Sequence, residues 1–180
     1  MLNVELRRPW TGDVEELHQF FRTVITDTFI KEGIGHLLQE IEDEIQTKKS
    51  YLERDLISDG EKRYFLIALQ GEKIIGSIEY GPESELISKC TNKELKNLNE
   101  VGTVFVLPDF QGKGIGNLLL NEMYQTLKDK GLEEFCLDSG YTNAQKIWKK
   151  KFGEPDYLLE NYWGEGYPQM IWRIKVADLL

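Results

Sequence analysis

The chain has 180 residues, of which 41% are hydrophobic and 29% are charged, and its formal net charge at pH 7 is −9. This length suits one domain with a full core, and the composition excludes disordered, collagen-like and membrane-spanning proteins. The negative charge disfavours binding to nucleic-acid phosphates, and it weakly favours a cationic small molecule as a partner.

The first half of the chain is predicted to hold one strand, two helices and a hairpin. The N-terminal residues form a short strand that ends before Pro9, and the cap-type residues Thr11 and Asp13 open the first helix. Apolar residues at helical spacing predict a second helix, and a turn between two apolar runs predicts the hairpin. These elements are a helix between Ile34 and Leu56 and hairpin strands at Tyr64 to Leu69 and Lys73 to Tyr80.

In the second half, a polar stretch at 82–97 precedes the next strand, and Glu94 to Leu98 indicate a short helix near its end. Strands and helices then alternate, with Gly131 as a helix-terminating glycine and Thr142 as a helix cap. The predicted elements are a strand at Asn99 to Val106, a helix at Ile115 to Lys130, a strand at Phe135 to Asp138, a helix at Thr142 to Phe152, and strands at Tyr157 to Tyr162 and Gln169 to Val176.

The order of these elements defines the expected fold class. Helices that alternate with strands in this way indicate an α/β fold, in which one mixed sheet carries helices on its faces. We expect about six to seven strands flanked by about four helices. The chain is expected to form a single domain over residues 1–180.

The cysteines and histidines do not indicate a metal or disulfide site. Cys90 and Cys136 are too few for a disulfide framework or a zinc site, and reduced thiols are the simplest interpretation. Cys136 lies between two apolar strand residues and is expected to be a buried small hydrophobe. His18 and His36 lack the partners of a metal site, so no metal is expected. The N-terminus has no apolar signal core, and we expect a cytoplasmic protein.

The strongest chemical signal is a glycine-rich turn, Gln111 to Gly116, between the strand that ends at Val106 and a predicted helix. Glycines let backbone N–H groups converge without side chains in the way, and a helix N-terminus adds its positive dipole end. Together they form an anion site suited to phosphate or pyrophosphate. A P-loop would need glycine where Leu107 stands, and a dinucleotide fingerprint would need glycine where Asn117 stands.

The pattern Val-x-Pro-x-x-Gln-Gly-x-Gly-x-Gly, which begins at Val106, closely resembles the CoA-binding motif of the GNAT superfamily of acyl-CoA-dependent N-acyltransferases. The order of elements is also similar to that family over nearly the whole chain. The resemblance implies acetyl-CoA as co-substrate, with backbone groups pairing with its pantetheine arm and cradling its pyrophosphate. The implied residues are Val104, Phe105 and Val106 for the arm, and Gln111, Gly112, Lys113, Gly114, Ile115 and Gly116 for the pyrophosphate, with Lys113 adding positive charge.

The resemblance also implies a general base. In the family, a Glu on the strand before the loop often removes the amine proton, commonly through water. Glu100 starts this strand and stands six residues before Val106, so Glu100 is the expected base. Glu79 and Asp138 are weaker alternatives. The family's oxyanion donor is a backbone N–H of the same strand, which requires no particular side chain.

The family pattern is matched less well on the following helix, where a Tyr usually protonates the leaving thiolate. Counting from Ala144 places Trp148 at the Tyr position, and counting back from Gly153 places Lys149 there. Neither residue is a Tyr, so the resemblance leaves the proton donor unassigned.

Several candidates for the proton donor follow. Tyr141, at the start of the helix, is the expected acid, while Tyr157 and Tyr162 stay open as alternatives. The thiolate can also leave without a dedicated acid, because a thiol of ordinary pKa is a tolerable leaving group near neutral pH. Asn143 is an expected CoA contact, although it is displaced from the family's Asn position, which falls on Tyr141.

The acceptor is expected to be a primary amine of a small, cationic molecule, acetylated by direct transfer. A peptide or protein N-acetyltransferase and a non-catalytic acyl-CoA-binding module remain alternatives. Neither nucleic acid nor a membrane is an expected partner, and a homodimer is left open. Late aromatic residues suit an organic amine, but most are expected in the core: Tyr157, Tyr162, Trp163, Tyr167 and Trp172.

Overall fold

The computed structural model describes residues 2–180, which contain seven strands and five α-helices. The strands are β1 Glu5–Arg7, β2 Tyr64–Gln70, β3 Lys73–Pro82, β4 Asn99–Val106, β5 Glu134–Ser139, β6 Tyr157–Leu159 and β7 Gln169–Lys175. The helices are α1 Val14–Lys31, α2 Leu38–Ser58, α3 Glu85–Cys90, α4 Ile115–Asp129 and α5 Thr142–Phe152. The strands form a mixed sheet in the order β1-β2-β3-β4-β5-β7-β6, which confirms the predicted α/β fold.

The described residues divide into two compact units. The first comprises the residues up to Tyr80 together with Thr103–Met123, and the second comprises Gly81–Gly102 and Tyr124–Leu180. The division falls inside β4, between Gly102 and Thr103, and inside α4. The single domain expected from the sequence stays a prediction. Within residues 2–180, none of the helices combines the length and apolar character required to cross a membrane.

The first unit contains the antiparallel strands β1, β2 and β3 and the long helices α1 and α2. The hairpin of β2 and β3 turns at Gly71, whose φ of +61° is a left-handed conformation that glycine adopts at little cost. An ion pair of 2.7 Å joins Arg8 to the buried Asp55 of α2, which also accepts the backbone N–H of Phe65. Apolar residues at helical spacing form the buried faces of α1 and α2: Leu17, Phe20, Phe21, Val24, Ile25, Ile41, Ile45 and Leu52.

The second unit is built around β5. This strand pairs in parallel with the start of β4, where Glu100 lies opposite Cys136, and it pairs antiparallel with β7. The short strand β6 pairs antiparallel with the other side of β7. Cys136 is fully buried in an apolar cluster with Ile87, Leu95 and Ile171, which confirms the expectation of a small core residue.

The stretch between β3 and β4 corrects one prediction. Its helix is α3, which begins after Ser84, whose side chain accepts the backbone N–H of Ile87 as a helix cap. The predicted short helix at Glu94 to Leu98 is wrong, because residues 91–97 form a run of turns that begins around Asn92 and Lys93. Both residues have positive φ, of 51° and 62°, which a right-handed helix does not allow. The α3 helix also makes the count one higher than expected.

Several element ends differ from the predictions by a few residues; α2, for example, begins at Leu38 rather than near Ile34. Two of these differences have a clear local cause. Thr142 is the first residue of α5 rather than its cap, because Tyr141 occupies the cap position in an extended conformation. Strand β6 ends at Leu159 instead of Tyr162, because Asn161 takes a left-handed φ of 58° and turns the chain. The side-chain oxygen of Asn161 then accepts the backbone N–H of Gly166 at 2.8 Å, which closes the turn.

Candidate functional site

The glycine-rich turn in the first unit has the conformation that its sequence predicts. A single 3-10 turn at Pro108–Phe110 follows β4, and the loop then enters α4 at Ile115. Gly112 and Gly114 have φ values of +74° and +85°, and a Cβ added at either would meet no atom within 4 Å. Glycine is therefore required there by backbone conformation rather than by crowding. The first N–H groups of α4 lack intrahelical partners, so this end of the helix can bind an anion.

The side chain of Gln111 connects the loop to the end of β4 and to the end of α1 through two hydrogen bonds. Its Nε2 donates to the carbonyl of Val106 at 3.1 Å, and its Oε1 accepts from the ammonium of Lys31 at 3.2 Å. Lys31, at the end of α1, also pairs with Asp27 at 2.8 Å. Lys31 lies 80 residues before Gln111, so no local pattern in the sequence could place it beside the loop. It adds a positive charge to the one that Lys113 supplies.

A groove of about 450 Å³ lies beside the same loop in the first unit. The ammonium groups of Lys73 and Lys113 lie 5.5 Å and 5.3 Å from the ring centroid of Phe110, which lines the groove. The ring face of Phe110 can contact a flat ligand ring, and the groove wall carries both cationic and acidic side chains. The groove is lined by α1, the start of β3 and the 3-10 turn, through Glu16, Gln19, Phe20, Thr23, Lys73, Ile74 and residues 107–110.

The part of β4 in the first unit departs from a regular strand at Thr103. This residue has a φ of 51°, an outlier for a β-branched side chain. The residues that follow it, Val104, Phe105 and Val106, are all half-buried rather than alternating between buried and exposed. The strand segment predicted to pair with the pantetheine arm therefore begins directly after a distorted residue.

The candidate base Glu100 lies in the second unit, at the start of β4. Its side chain is largely buried, with the residue 8% exposed, and one carboxylate oxygen accepts the backbone N–H of Ser84 at 3.1 Å. Glu79, the weaker alternative in the first unit, is also buried, but it pairs with Arg63 at 2.6 Å. The other oxygen of Glu79 accepts the hydroxyl of Thr103 at 3.1 Å, so both oxygens are engaged in bonds within the protein.

The thiol of Cys136, in the second unit, is affected by both burial and negative charge. Burial raises the pKa of this thiol, and the negative charges of Glu100, Asp138 and Glu83 raise it further. The thiol therefore stays protonated and is unsuited to act as a nucleophile. Burial also raises the pKa of Glu83, one of whose oxygens is buried without a hydrogen-bond partner among the described residues.

The tyrosines considered as proton donors have different surroundings in the second unit. Tyr141 holds the cap position of α5, and its backbone N–H donates to Ser139 at 3.1 Å. The hydroxyl of Tyr157 donates to Glu94, and this bond raises the pKa of Tyr157. Burial and the thiol of Cys90 raise the pKa of Tyr162. Tyr141 and the neighbouring Asn143 stay predicted site residues.

The aromatic residues late in the chain are less buried than expected. Trp172 is in the core, but Tyr162, Trp163 and Tyr167 are exposed on the loop between β6 and β7. They are exposed because this loop is shaped by turns rather than by a continued strand. The indole N–H of Trp163 donates to Gln169 at 2.8 Å, and the Gln169 amide donates to Asp138 at 2.8 Å. The mainly buried placement expected for these aromatics is therefore wrong for the three exposed residues.

The predicted site residues are thus found in two groups. Within the first unit, the structure brings together the end of β4, the glycine loop and Lys31. Within the second unit, Glu100 lies opposite Cys136 in the pairing of β4 with β5, and the charges of Glu83 and Asp138 also act on the Cys136 thiol. The sequence missed Lys31, Thr103 and Glu83 as members of these groups.

Solved structures of similar fold come from several organisms. One is a protein from Desulfovibrio desulfuricans assigned to the GNAT family, with a TM-score of 0.72, 15% identity, and coverage of 97% of this chain and 99% of that one. Another is PaiA N-acetyltransferase from Thermoplasma acidophilum in complex with coenzyme A, with a TM-score of 0.67, 20% identity, and coverage of 96% and 100%. A third is ribosomal-protein-alanine N-acetyltransferase from Brucella melitensis, with a TM-score of 0.64, 16% identity, and coverage of 95% and 99%. At these identities the likeness shows the fold.

Membership of a family follows from the amino-acid sequence rather than from the structural likeness. A comparison with curated protein sequences gave no match. The profile of the acetyltransferase (GNAT) family matches residues 29–153, a range that includes the hairpin, the glycine loop and α5. Since this range covers well over half of the chain, the protein belongs to the GNAT family of acetyltransferases.

Proposed function

We propose that the protein transfers the acetyl group of acetyl-CoA directly to a primary amine of a small, cationic molecule. The observation that carries the proposal is the unit of strand, glycine loop and helix at Val104 to Gly116 in a member of the GNAT family. Among structures of similar fold, PaiA N-acetyltransferase is in complex with coenzyme A. The same ligand suits the loop described above.

Acetyl-CoA would be held mainly by backbone groups. The peptide groups of Val104 to Val106 would pair with the pantetheine arm, and the N–H groups of Gln111 to Gly116 would bind the pyrophosphate. Lys31 and Lys113 supply local positive charge, which an acidic protein needs for a polyanionic ligand. The groove beside Phe110 offers room for the adenine end.

Glu100 is proposed as the general base. The attacking amine nitrogen forms a bond to the thioester carbonyl carbon while Glu100, commonly through water, accepts the proton that the nitrogen loses. Backbone N–H groups of the β4 segment stabilise the oxyanion, and the C–S bond then breaks. The CoA thiolate takes a proton from solvent or from Tyr141, the proposed acid. Direct transfer is supported by the buried, protonated thiol of Cys136, which is unsuited to carry the acetyl group.

A cationic acceptor is supported by charge. Glu83, Glu100 and Asp138 contribute negative charge in the second unit, and the whole chain has a net charge of −9. The exposed aromatic side chains of Tyr162, Trp163 and Tyr167 can in addition contact an organic cation through their ring faces. We therefore favour a small organic amine with more than one positive charge as the substrate.

The proposal is tested by measuring thiol release from acetyl-CoA with a panel of polyamines, aminoglycosides and short peptides, beside calorimetric titration of CoA. We expect CoA binding and saturable turnover with a polyamine or aminoglycoside. Turnover with peptides alone would instead favour peptide N-acetylation. CoA binding without turnover of any amine would indicate an acyl-CoA-binding module, and failure to bind CoA would refute the proposal as a whole.

A further inference from the structure

The conformation of Thr103 calls for a physical cause. A positive φ is unfavourable for any residue with a Cβ, and more so for a β-branched side chain. Thr103 takes this conformation inside a strand and is itself buried. Such a residue persists only where its surroundings hold it, and strained residues of this kind cluster at functional sites.

Two side chains of β3 hold Thr103 from the same unit. The hydroxyl of Ser77 donates to the Thr103 carbonyl at 2.8 Å, and the hydroxyl of Thr103 donates to Glu79 at 3.1 Å. Both bonds are buried, so neither competes with water. Side-chain hydrogen bonds therefore fix both polar ends of the distorted residue.

Glu79 is itself fixed by Arg63. The guanidinium donates to the second carboxylate oxygen at 2.6 Å, and it also stacks 3.7 Å from the ring centroid of Tyr51. Arg63, Glu79 and Thr103 are all buried. The Glu79 carboxylate is held in one orientation, because one oxygen accepts a charge-assisted hydrogen bond and the other accepts a hydroxyl. This makes Glu79 a rigid support.

The position of this support along β4 indicates its role. Val104 to Val106 follow Thr103 directly, and all three are half-buried. A left-handed residue turns the next peptide groups away from the directions of a regular strand. We propose that Glu79, held by Arg63, is a positioning residue: it keeps Thr103 left-handed and thereby directs the peptide groups of Val104 to Val106 toward the pantetheine arm of acetyl-CoA. This inference rests on the proposed function.

The test distinguishes the binding of the pantetheine end of CoA from the binding of its adenosine end. CoA and adenosine 3′,5′-bisphosphate are titrated by calorimetry into the wild type, Thr103→Val and Thr103→Ser. The bisphosphate lacks the pantetheine arm and one phosphate of the pyrophosphate, so it reports on binding of the adenosine end without the β4 segment. Thr91→Val is the matched control, because the buried Thr91 hydroxyl donates to the Ile87 carbonyl at 2.7 Å and takes no part in the site.

We expect Thr103→Val to weaken CoA binding by about tenfold, a typical effect of losing one hydrogen-bonded contact, and to change bisphosphate binding by less than about twofold. Thr103→Ser keeps the hydroxyl and should bind both ligands like the wild type. Thr91→Val should lower the melting temperature but leave both affinities unchanged. A kinetic readout runs in parallel, in which Thr103→Val raises KM for acetyl-CoA more than it changes KM for the amine.

A second pair of variants covers the case in which Thr103→Val does not fold. Glu79→Gln is compared with Asp55→Asn, since Asp55 is likewise a buried carboxylate whose arginine partner stacks on a tyrosine ring. Glu79→Gln should weaken CoA binding but not bisphosphate binding, while Asp55→Asn should weaken neither. Equal loss of both ligands, or unchanged CoA binding in both Thr103→Val and Glu79→Gln, would overturn the inference. Failure of the wild type to bind CoA would overturn it together with the proposed function, and this result needs no variant.

Discussion

The substitution Glu100→Gln tests the proposed chemistry most directly. Glutamine has the same shape and keeps an oxygen for the Ser84 N–H, which now lies 3.1 Å from the carboxylate. The residue is only 8% exposed, so a change of shape would disturb its surroundings, whereas this change should not. What is lost is the ability to accept a proton. The loss should therefore fall on kcat, while the affinity for CoA stays the same.

The expected magnitude follows from the role. General base catalysis contributes about 10²–10⁴-fold to the rate, which corresponds to about 3–5 kcal/mol in activation free energy. The assay is thiol release from acetyl-CoA at saturating amine, measured across pH. Without the base, the amine must lose its proton to bulk water, so the rate of Glu100→Gln should keep rising toward the amine's own pKa, about 10.4 for an alkyl ammonium. The wild-type rate should level off at lower pH.

Glu83→Gln is the matched control, because Glu83 is another carboxylate near the Cys136 thiol. It should retain most of the wild-type kcat. If Glu100→Gln kept its kcat within about threefold of the wild type, general base catalysis by Glu100 would be refuted, because that loss is far below the expected range. If Glu83→Gln lost the activity instead, the base would be Glu83, whose pKa is already raised by burial.

Three further predictions concern the loop, the acid and the N-terminal segment. Gly114 has a φ of +85°, so Gly114→Ala should cost about 1–2 kcal/mol of stability and weaken CoA binding. The control is Gly116→Ala: Gly116 lies within α4 and has no positive φ, so this variant should melt no lower than the wild type. Tyr141→Phe should lower kcat by about a hundredfold if Tyr141 is the acid, and an unchanged kcat would remove it from that role. Although burial favours the neutral acid, hydrogen bonds from Arg7 and Trp10 hold the pKa of Asp13 below its ordinary value. The ionised Asp13 therefore stabilises the fold at pH values above its unfolded pKa of about 3.9, and this contribution is lost as pH falls through the lower folded pKa. In Asp13→Asn, the urea concentration at the unfolding midpoint should consequently fall less steeply at acid pH than it does in the wild type.

The glycine loop could be predicted from sequence because its requirement is local. Only glycine adopts the backbone conformations of Gly112 and Gly114 without strain, so the turn is visible in the residue types. The start of α3 carried a comparable signal, since Ser84 is a cap-type residue directly before the helix. The prediction near Leu95 failed because apolar spacing there reflects one buried side chain in a turn rather than a helix face.

Other features of the site have no local signature. Lys31 reaches Gln111 across 80 residues, a contact that only the folding of α1 creates. Thr103 is a β-branched residue in a β-rich strand, so its residue type argues for a regular extended conformation. Its left-handed φ arises from tertiary hydrogen bonds with β3. The preference of threonine for an extended conformation is overridden here, because the surrounding side chains determine the backbone conformation of Thr103.

The two buried glutamates show how environment separates roles that the sequence leaves open. Spacing from Val106 favoured Glu100 as the base, and Glu79 was the weaker alternative. In the structure, Glu79 accepts a guanidinium on one oxygen and a threonine hydroxyl on the other, so two buried bonds fix the orientation of its carboxylate. One carboxylate oxygen of Glu100 accepts the backbone N–H of Ser84. A support must keep its side chain in one orientation, which suits Glu79, whereas a general base must present an oxygen to the proton that it accepts, the role proposed for Glu100.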